Sequence, residues 1–245
     1  MRALILAAGR GSRLGSLTQE KPKAFVNFLG QSLLERAITT LKSAKIDELA
    51  IVTGYKSDAF SKYNLQKFHN KDWLNSNMVN SLFYADDWLT QECIIIYSDI
   101  FFNENIISKL KKSKSDLSLA FDTNWLTHWQ IRFKNPLCDL ETFKLDSNGN
   151  VMEIGDKATN LLEIQGQYMG IFKLTPKSWN EIKNFVKSLP LEVSLKISIT
   201  ELFNLMISLN ATLIKGVPNS GAWGEIDSES DLLNLENFWR YKLLK

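Results

Sequence analysis

Short apolar runs alternate with segments of helical periodicity in the first half of the chain, and this alternation limits the folds open to it. Strands are predicted at residues 3–7, 48–55, 93–100 and 116–122, and helices at 32–44, 57–68 and 77–89. The strands are mainly apolar on both faces, which is typical of a parallel sheet covered by helices. We therefore predict an α/β fold with a Rossmann-like, mostly parallel mixed sheet flanked by helices.

The second half of the chain has a different pattern. Two alternating segments around Ser-Asn-Gly-Asn predict a β-hairpin over 141–155, which we interpret as a small β-rich insertion. Strands are also predicted at 166–174 and 211–217, and helices at 178–188, at 199–209 and after an N-cap at Ser228 or Ser230. No linker rich in Pro, Gly or Ser interrupts the chain, so a single domain over 1–245 is expected.

Composition narrows the classes of function. The formal net charge of +2 provides no overall attraction to nucleic acid. No run approaches the about 18 apolar residues of a membrane-spanning helix, and the initial "LILAAG" is better explained as a strand than as a secretory signal. Cys93 and Cys138 lack metal-ligand neighbours and are expected to be reduced thiols. We therefore expect a cytoplasmic protein with neither nucleic-acid nor membrane partners.

A glycine-rich, basic segment follows the first predicted strand. Ligands of parallel sheets lie beyond the carboxyl ends of the strands, which draws attention to 9–13, 54–55, Asp99 and Asp122. In "AAGRGSRL" the glycines allow close backbone approach and free amide N–H groups to face phosphate oxygens, while two arginines add positive charge. The segment lacks the GxxxxGK[ST] and GxGxxG patterns, and by itself it is also compatible with an ordinary structural turn.

A second segment, "EKPKAFVNFLGQSLLERAI" at 20–38, completes a two-part pattern. Together with "LAAGRGSRL" at 6–14 it resembles the N-terminal motif of nucleotidyltransferases that make sugar nucleotides and CDP-alcohols from a nucleoside triphosphate. This resemblance implies a fold of the nucleotide-diphospho-sugar transferase type. It also implies a nucleotide-binding half over about 1–115 and an acceptor-binding half over about 116–245.

In the family that the chain resembles, the first loop wraps the triphosphate. By that resemblance Arg13 and Lys23 are the catalytic residues, which neutralise the triphosphate and stabilise charge during attack at the α-phosphorus. The residues expected to bind the nucleotide are Leu6, Ala7, Ala8, Gly9, Gly11, Ser12, Gly54, Tyr55, Asn80 and Ser81.

The resemblance also implies a metal site. Asp99 in "IIIYSDIFF" matches the metal-binding aspartate of the family, with Ser98 in the place of the usual glycine. Asp227 in "WGEID" fits the second ligand, which comes late in the family's sequences. Two carboxylates and phosphate oxygens suit Mg²⁺, which is the cofactor we predict. A carboxylate at a helix N-terminus is the structural alternative for Asp227.

Four stretches most resemble bacterial cytidylyltransferases that activate phosphocholine or a related compound. These are "NMVNSL", "DTNWLTHWQIRF", "GQYMGI" and "WGEID". The residues expected to bind the acceptor are Trp125, Trp129, Arg132, Lys157, Tyr168, Trp223 and Glu225. The aromatic rings could surround a cationic group, with Asp122, Asp139, Glu141 or Glu225 adding opposite charge. The same tryptophans could equally be core residues, and Lys157 could be an ordinary surface lysine.

The predicted reaction is in-line attack of the acceptor's phosphate or phosphonate oxygen on the α-phosphorus of CTP, with release of pyrophosphate. Such an oxygen is anionic near neutral pH, so no general base is needed, and His69 and His128 lie outside the motifs. The expected partners are CTP and a small phosphorylated acceptor, and the protein is expected to be a monomer or homodimer. Phosphocholine, aminoethylphosphonate, a phosphoglycerol and a phosphorylated amino-acid derivative remain open as acceptors. The role expected from the resemblance is biosynthesis of cell-surface polysaccharide.

Three other functions remain open from the sequence. A sugar-1-phosphate nucleotidyltransferase would share the first half of the motif set. A regulatory homologue without activity would keep the fold, although Arg13, Lys23, Asp99 and Asp227 are all present. An NAD-binding oxidoreductase is disfavoured by the missing GxGxxG pattern.

Overall fold

The computed structural model describes residues 1–243. The strands are β1 (Arg2–Ala7), β2 (Asn27–Phe28), β3 (Gln31–Ser32), β4 (Leu49–Thr53), β5 (Gln66–His69), β6 (Cys93–Tyr97), β7 (Ile100–Phe102), β8 (Leu117–Asp122), β9 (Glu141–Leu145), β10 (Val151–Lys157), β11 (Gln167–Leu174), β12 (Lys215–Asn219) and β13 (Trp223–Glu225). The helices are α1 (Leu33–Ser43), α2 (Met78–Tyr84), α3 (Glu104–Lys112), α4 (Trp125–Arg132), α5 (Pro176–Ser188), α6 (Leu191–Lys196), α7 (Ile199–Ser208) and α8 (Glu229–Leu243).

A seven-stranded sheet forms the centre of the molecule, in the order β12-β8-β11-β6-β1-β4-β5. Strands β6, β1, β4 and β5 are parallel to one another, and β12 is parallel to β8. Only β11 runs antiparallel to its neighbours β6 and β8 within this sheet. The predicted mostly parallel mixed sheet is therefore confirmed. It brings the carboxyl ends of β1, β4, β5 and β6 to one edge.

Local sequence chemistry explains where several elements begin. Ser32 and Glu35 form a reciprocal capping box at the start of α1, which confirms the helix predicted at 32–44. The hairpin β9–β10 is also confirmed, and Gly149 supplies the positive φ of 73° that its turn requires. At the start of α8 the Ser228 hydroxyl accepts the N–H of Asp231, so Ser228 is the cap of the two serines considered.

The helix predicted at 57–68 is wrong. A short 3₁₀ turn covers Ser57–Phe60, its N-cap is Lys56 rather than Ser57, and the edge strand β5 follows. Residues 66–69 pair in parallel with β4, so tertiary hydrogen bonds override a weak helical periodicity.

Three other predicted elements have different bounds. The helix expected over 77–89 ends at Tyr84 and is followed by a 3₁₀ turn, Asp86–Trp88. The strand expected over 93–100 ends at Tyr97, and the chain then enters β7, which pairs with β13 outside the main sheet. The strand expected over 211–217 begins only at Lys215.

A second apolar cluster, separate from the main core, ties together the segments that carry the candidate site residues. It is formed by Leu14, Val26, Phe28, Leu33, Phe101, Ile226, Leu235 and Trp239. Leu14 adjoins Arg13, Val26 lies shortly after Lys23, and Ile226 adjoins Asp227. Packing of these apolar neighbours therefore fixes the backbone positions of Arg13, Lys23 and Asp227. Among the described helices, none has the length and apolarity that crossing a membrane would require.

Candidate active site

The loop after β1 is shaped around Lys23. Gly11 has a φ of 73°, and a Cβ atom there would lie 2.7 Å from Cδ of Lys23. The Thr18 hydroxyl donates to the Gly11 carbonyl at 2.9 Å and closes the loop on itself. The absence of a side chain at position 11 therefore allows the aliphatic part of Lys23 to pass beneath the loop and reach the strand ends.

A first cavity of about 280 Å³ opens at the carboxyl ends of β1, β5 and β6. The glycine-rich loop forms one wall, and Asn70 and Trp73, which follow β5, form another. Ser81 from α2 and Asp99 after β6 lie on the remaining sides, with other residues. The cavity thus combines backbone amides, amide and hydroxyl side chains, one indole and several charges.

Three carboxylates meet at the floor of this cavity. Asp99, Glu225 and Asp227 each place one oxygen within 4.8 Å of the others. Asp99 follows β6, whereas the other two come from the end of β13 and the turn after it. The pairing of β13 with β7 brings residues more than a hundred positions apart in the chain into this cluster.

Two cations that line the first cavity, Lys23 and Arg13, contact the carboxylate cluster. Nζ of Lys23 lies 2.7 Å from Oδ2 of Asp99 and 2.5 Å from Oδ1 of Asp227. Nη2 of Arg13 lies 3.0 Å from the same oxygen of Asp227. The Arg13 side chain is largely exposed and can move toward a ligand, whereas that of Lys23 is buried.

The close charges shift the ionisation of the cluster. Burial, with repulsion from Asp227 and Asp99, raises the pKa of Glu225 to about 8. Burial alone would raise the pKa of Asp227, but the Lys23 ammonium and the Arg13 guanidinium more than offset it and lower that pKa. Burial alone would lower the pKa of Lys23, yet Asp99 and Asp227 together raise it, so this side chain is fully charged at neutral pH.

The donor set fits a hard divalent cation. All three candidate ligands are carboxylates, the ligand type that Mg²⁺ prefers. Oδ1 of Asp99 is buried, and no hydrogen-bond partner for it is found among residues 1–243. An unpaired buried carboxylate oxygen is costly unless a cation or water meets it. Asp99, Glu225 and Asp227 could therefore hold one such ion between them.

A second cavity of about 330 Å³ adjoins the first and shares part of its wall. Arg13, Glu225 and Asp227 line both cavities, together with Tyr97 and Met78. The second cavity is bounded elsewhere by Trp129, Asp139, Glu141, Gln167, Tyr168, Ser198, Thr200 and Trp223, among others. The carboxylate cluster and Arg13 therefore lie where ligands in the two cavities would meet.

The wall of the second cavity combines carboxylates and hydrogen-bonding side chains with aromatic rings. The rings of Trp129 and Trp223 stack on each other with centroids 5.8 Å apart, and both residues are buried. Their indole N–H groups donate to Asp139 and to a backbone carbonyl, respectively. Burial, with repulsion from Asp139, raises the pKa of Glu141 to about 7. The carboxyl groups are thus better placed than the stacked rings to meet a cationic group.

The first half of the chain matches a known protein family. Residues 3–133 match the family model described as a MobA-like NTP transferase domain. The chain belongs to this family. The match spans the glycine-rich loop, Lys23 and Asp99. The predicted resemblance of this sequence to the nucleotidyltransferases is therefore confirmed.

Two curated relatives of this transferase match most of the chain. The CTP:phosphoglutamine cytidylyltransferase of Campylobacter jejuni is 36% identical over 95% of this chain and 98% of its own length. The choline-phosphate cytidylyltransferase of Haemophilus influenzae is 32% identical over 80% of this chain and 78% of its own. Both relatives are therefore similar to this chain well beyond its first half.

Solved structures show the same fold. The inositol-1-phosphate CTP transferase of Thermotoga maritima superposes with a TM-score of 0.76 at 16% identity, over 99% of this chain and 96% of its own. The CTP:phosphocholine cytidylyltransferase of Streptococcus pneumoniae superposes with a TM-score of 0.70 at 19% identity, over 97% of this chain and 98% of its own. The predicted nucleotide-diphospho-sugar transferase type of fold is confirmed.

The structure of the transferase brings only part of the predicted nucleotide-binding set to the first cavity. Its lining includes Leu6, Ala8, Gly9, Gly11, Arg13, Lys23, Ser81, Asp99, Glu225 and Asp227. Five predicted residues do not line it, and these are Ala7, Ser12, Gly54, Tyr55 and Asn80.

Two of these five residues, Gly54 and Tyr55, support the cavity from behind. Tyr55 donates its backbone N–H to the Ala8 carbonyl at 2.9 Å, and Gly54 allows Trp73 to approach. The Asn80 side chain faces α6, where it donates to the Ser194 carbonyl at 2.8 Å.

The predicted acceptor set is likewise divided. Trp129, Tyr168, Trp223 and Glu225 line the second cavity. Trp125 is half-buried against the core, and Lys157 is exposed at the end of β10, so neither lines that cavity. Arg132 is buried behind the carboxylates and contacts Asp231, Glu225 and Asp227 instead of the cavity.

Several cavity residues were missed from the sequence. Asn70 is buried and donates from its side chain to the hydroxyls of Ser76 and Ser81, both at 3.1 Å. Trp73 lies on the wall three residues later. Recognising the strand β5 in the sequence would have indicated both residues, because a polar residue directly after a strand of this sheet lies at the edge where ligands bind.

Replacing Gly11 with alanine is expected to lower turnover by about tenfold or more. The new Cβ atom would displace Lys23, and the positive φ would cost about 1–2 kcal/mol of stability. Gly30→Ala is a matched control, because Gly30 has a φ of 85° but no neighbour within 4 Å. Melting temperature should fall in both variants because both glycines have a positive φ, whereas turnover should fall only in Gly11→Ala. Equal turnover in the two variants would contradict this account.

Glu141→Gln is expected to raise the melting temperature by about 3–8 °C at pH 8 in the absence of ligand. The pKa of Glu141 is raised to about 7 in the folded state, so this carboxyl stabilises the fold at acidic pH, and that contribution is lost as pH rises toward 7. Thermal melts of both proteins at pH 5 and pH 8 test this. The same difference between the proteins at both pH values would contradict it.

Proposed function

We propose that this protein transfers CMP from CTP to a small phosphorylated acceptor and releases pyrophosphate. The observation that carries the proposal is the shared wall of the two cavities, where Arg13, Glu225 and Asp227 line both. The names of the C. jejuni and H. influenzae relatives support CTP as the donor and a phosphorylated compound as the acceptor. We also propose that the half over about 1–115, which forms most of the first cavity, holds the nucleotide, and that the half over about 116–245, which forms most of the second, holds the acceptor.

The first cavity would hold CTP with its triphosphate on the glycine-rich loop. Backbone N–H groups around Gly9 and Gly11 would donate to phosphate oxygens, and Arg13 would turn toward them from its exposed position. Asn70 and Ser81 offer polar groups, and Trp73 a ring face, on the opposite wall. Polar groups and a ring face suit a pyrimidine base.

Asp99, Glu225 and Asp227 would hold Mg²⁺. When bound, that ion would stabilise negative charge on the phosphates during transfer. Lys23 contacts two of the three carboxylates and would supply a further fixed positive charge next to the α-phosphorus. Arg13 and Lys23 would thus act by position and charge, and an acceptor phosphate that is already anionic would need no base.

We further propose that the acceptor carries an ammonium group able to donate hydrogen bonds. Asp139 and Glu141 lie on the wall of the second cavity, beside the side chains of Gln167 and Ser198. Trp129 and Trp223 are buried and each gives one ring face to the other, so those two faces are closed to a quaternary ammonium. A phosphorylated amino-acid derivative therefore fits this cavity better than phosphocholine, in agreement with the name of the C. jejuni relative.

Pyrophosphate release tests the proposal directly. The wild-type protein should be incubated with Mg²⁺, each of the four ribonucleoside triphosphates, and phosphocholine, phosphoethanolamine, a phosphorylated amino acid, glycerol phosphate or glucose 1-phosphate. The expected result is release that requires CTP and is fastest with an acceptor bearing a primary ammonium. A preference for UTP and glucose 1-phosphate would instead indicate a sugar-nucleotide enzyme, and fastest release with phosphocholine would refute the acceptor assignment.

Glu141→Gln should also lower kcat/KM for an ammonium-bearing acceptor. Loss of one charge-assisted hydrogen bond costs about 1.5–3 kcal/mol, which corresponds to roughly 10- to 150-fold. The kcat/KM for glycerol phosphate should change much less, and CTP binding should be unaffected. Equal losses for acceptors with and without the ammonium group would exclude Glu141 as its partner.

A further inference from the structure

A buried arginine lies directly behind the carboxylate cluster. Nε of Arg132 is 2.9 Å from Oδ1 of Asp231, and its two terminal nitrogens lie 3.4 Å from oxygens of Glu225 and Asp227. Only 2% of the Arg132 side chain is exposed. Burial alone would lower its pKa, but Glu225, Asp231 and Asp227 together raise it, so the guanidinium is charged.

Asp231 connects this arginine to the turn that carries Asp227. One carboxylate oxygen of Asp231 accepts the backbone N–H groups of Asp227 at 3.1 Å and Ser228 at 2.9 Å. The same oxygen accepts the Ser228 hydroxyl at 2.9 Å. The other oxygen accepts Nε–H of Arg132 at 2.9 Å, and Nη2 of Arg132 lies 3.4 Å from the first oxygen. The turn between β13 and α8 is thus held by a single carboxylate that is itself held by the guanidinium.

The two oxygens of Asp227 are directed to opposite sides. Oδ2 faces Arg132, whereas Oδ1 faces Lys23 and Arg13 at the floor of the cavity. Charges on both sides of one carboxylate fix its rotation and its distance from Asp99. Arg132 also contacts Glu225, so it touches two of the three carboxylates while lining neither cavity.

We infer that Arg132, acting with Asp231, is a positioning residue that orients Glu225 and Asp227 for the divalent cation. This inference rests on the metal site of the proposed function. It gives Arg132 a different role from the acceptor contact expected from the sequence. The planar guanidinium can contact three carboxylates at once, which the single ammonium of a lysine cannot reproduce.

Direct Mn²⁺ binding tests the inference without turnover. Manganese should be titrated into each protein in the presence of α,β-methylene-CTP, and free Mn²⁺ measured by electron paramagnetic resonance. Arg132→Lys keeps the charge and loses the planar geometry, so the Mn²⁺ dissociation constant should rise by about tenfold or more. Arg36→Lys is the control, because Arg36 is half-buried and donates to backbone carbonyls away from the cluster.

Asp231→Asn supplies an independent variant should Arg132→Lys not fold. It should also raise the Mn²⁺ dissociation constant. The double variant should have nearly the same dissociation constant as either single variant, because the two residues act as a unit. Mn²⁺ affinity within twofold of wild type in the folded variants would overturn the inference. So would a rise in acceptor KM with unchanged Mn²⁺ affinity. Failure of the wild type to transfer CMP would refute the proposed function but leave this binding comparison intact.

Discussion

Asp227→Asn and Asp99→Asn should each lower turnover by about 10³-fold, because the divalent cation and its charge stabilisation are worth several kcal/mol. Asp99 and Asp227 come from distant segments and converge on one cluster with Glu225. Turnover should be measured across a wide range of Mg²⁺ concentrations. Partial recovery at high Mg²⁺ would separate weakened binding of the ion from loss of the chemical step.

Asp116→Asn is the matched control for these two variants. Asp116 is also an ion-paired carboxylate, 2.7 Å from Nζ of Lys177, but it precedes β8 and therefore lies at the edge of the sheet opposite the cavity. Melting temperatures should show that all three variants are folded. Turnover near the wild-type value in both Asp99→Asn and Asp227→Asn would remove these residues from the metal site.

Lys23→Met should lower kcat by about 10²- to 10³-fold while changing the KM for CTP much less. Methionine has a similar length and no charge, so the buried path beneath Gly11 stays filled. The Lys23 charge would be most valuable while negative charge shifts to the departing pyrophosphate, which makes its loss a loss of transition-state stabilisation. Steady-state kinetics with CTP varied at saturating acceptor provides the two constants.

The comparison for Lys23→Met is Lys183→Met. Lys183 is also a partly buried, ion-paired lysine, 2.7 Å from Asp86, but it lies on α5 outside both cavities. It should keep wild-type kinetics. A higher KM for CTP with an unchanged kcat in Lys23→Met would make Lys23 a binding residue only.

The parallel sheet was predictable because its inner strands are apolar on both faces, whatever their partners. The edge strand β5 was not predictable in this way. Only one of its residues, Phe68, packs against the core, and the other three residues of the strand are exposed. That error concealed Asn70 and Trp73, which line the first cavity just after this strand. An edge strand owes its structure to the neighbour that it pairs with, which local periodicity does not report.

Site residues were predictable where their location follows from a strand end in the sequence. They were not predictable where their role depends on the direction in which a side chain points. Residues at strand ends, such as Asp99, follow from the rule for parallel sheets. Arg132 and Trp129 lie three residues apart on α4, yet one faces the carboxylates from behind and the other lines the second cavity. Which way each points depends on how α4 packs against α8, a contact between segments about a hundred residues apart.

The central claim is that a ligand in the second cavity attacks the α-phosphorus of CTP held in the first. Mass spectrometry of the product formed from CTP and a phosphorylated amino acid carrying ¹⁸O in its phosphate tests this most directly. The account predicts a CDP-linked product that retains the labelled bridging oxygen, with unlabelled pyrophosphate released. Free CMP without a linked product, or label in the pyrophosphate, would contradict it.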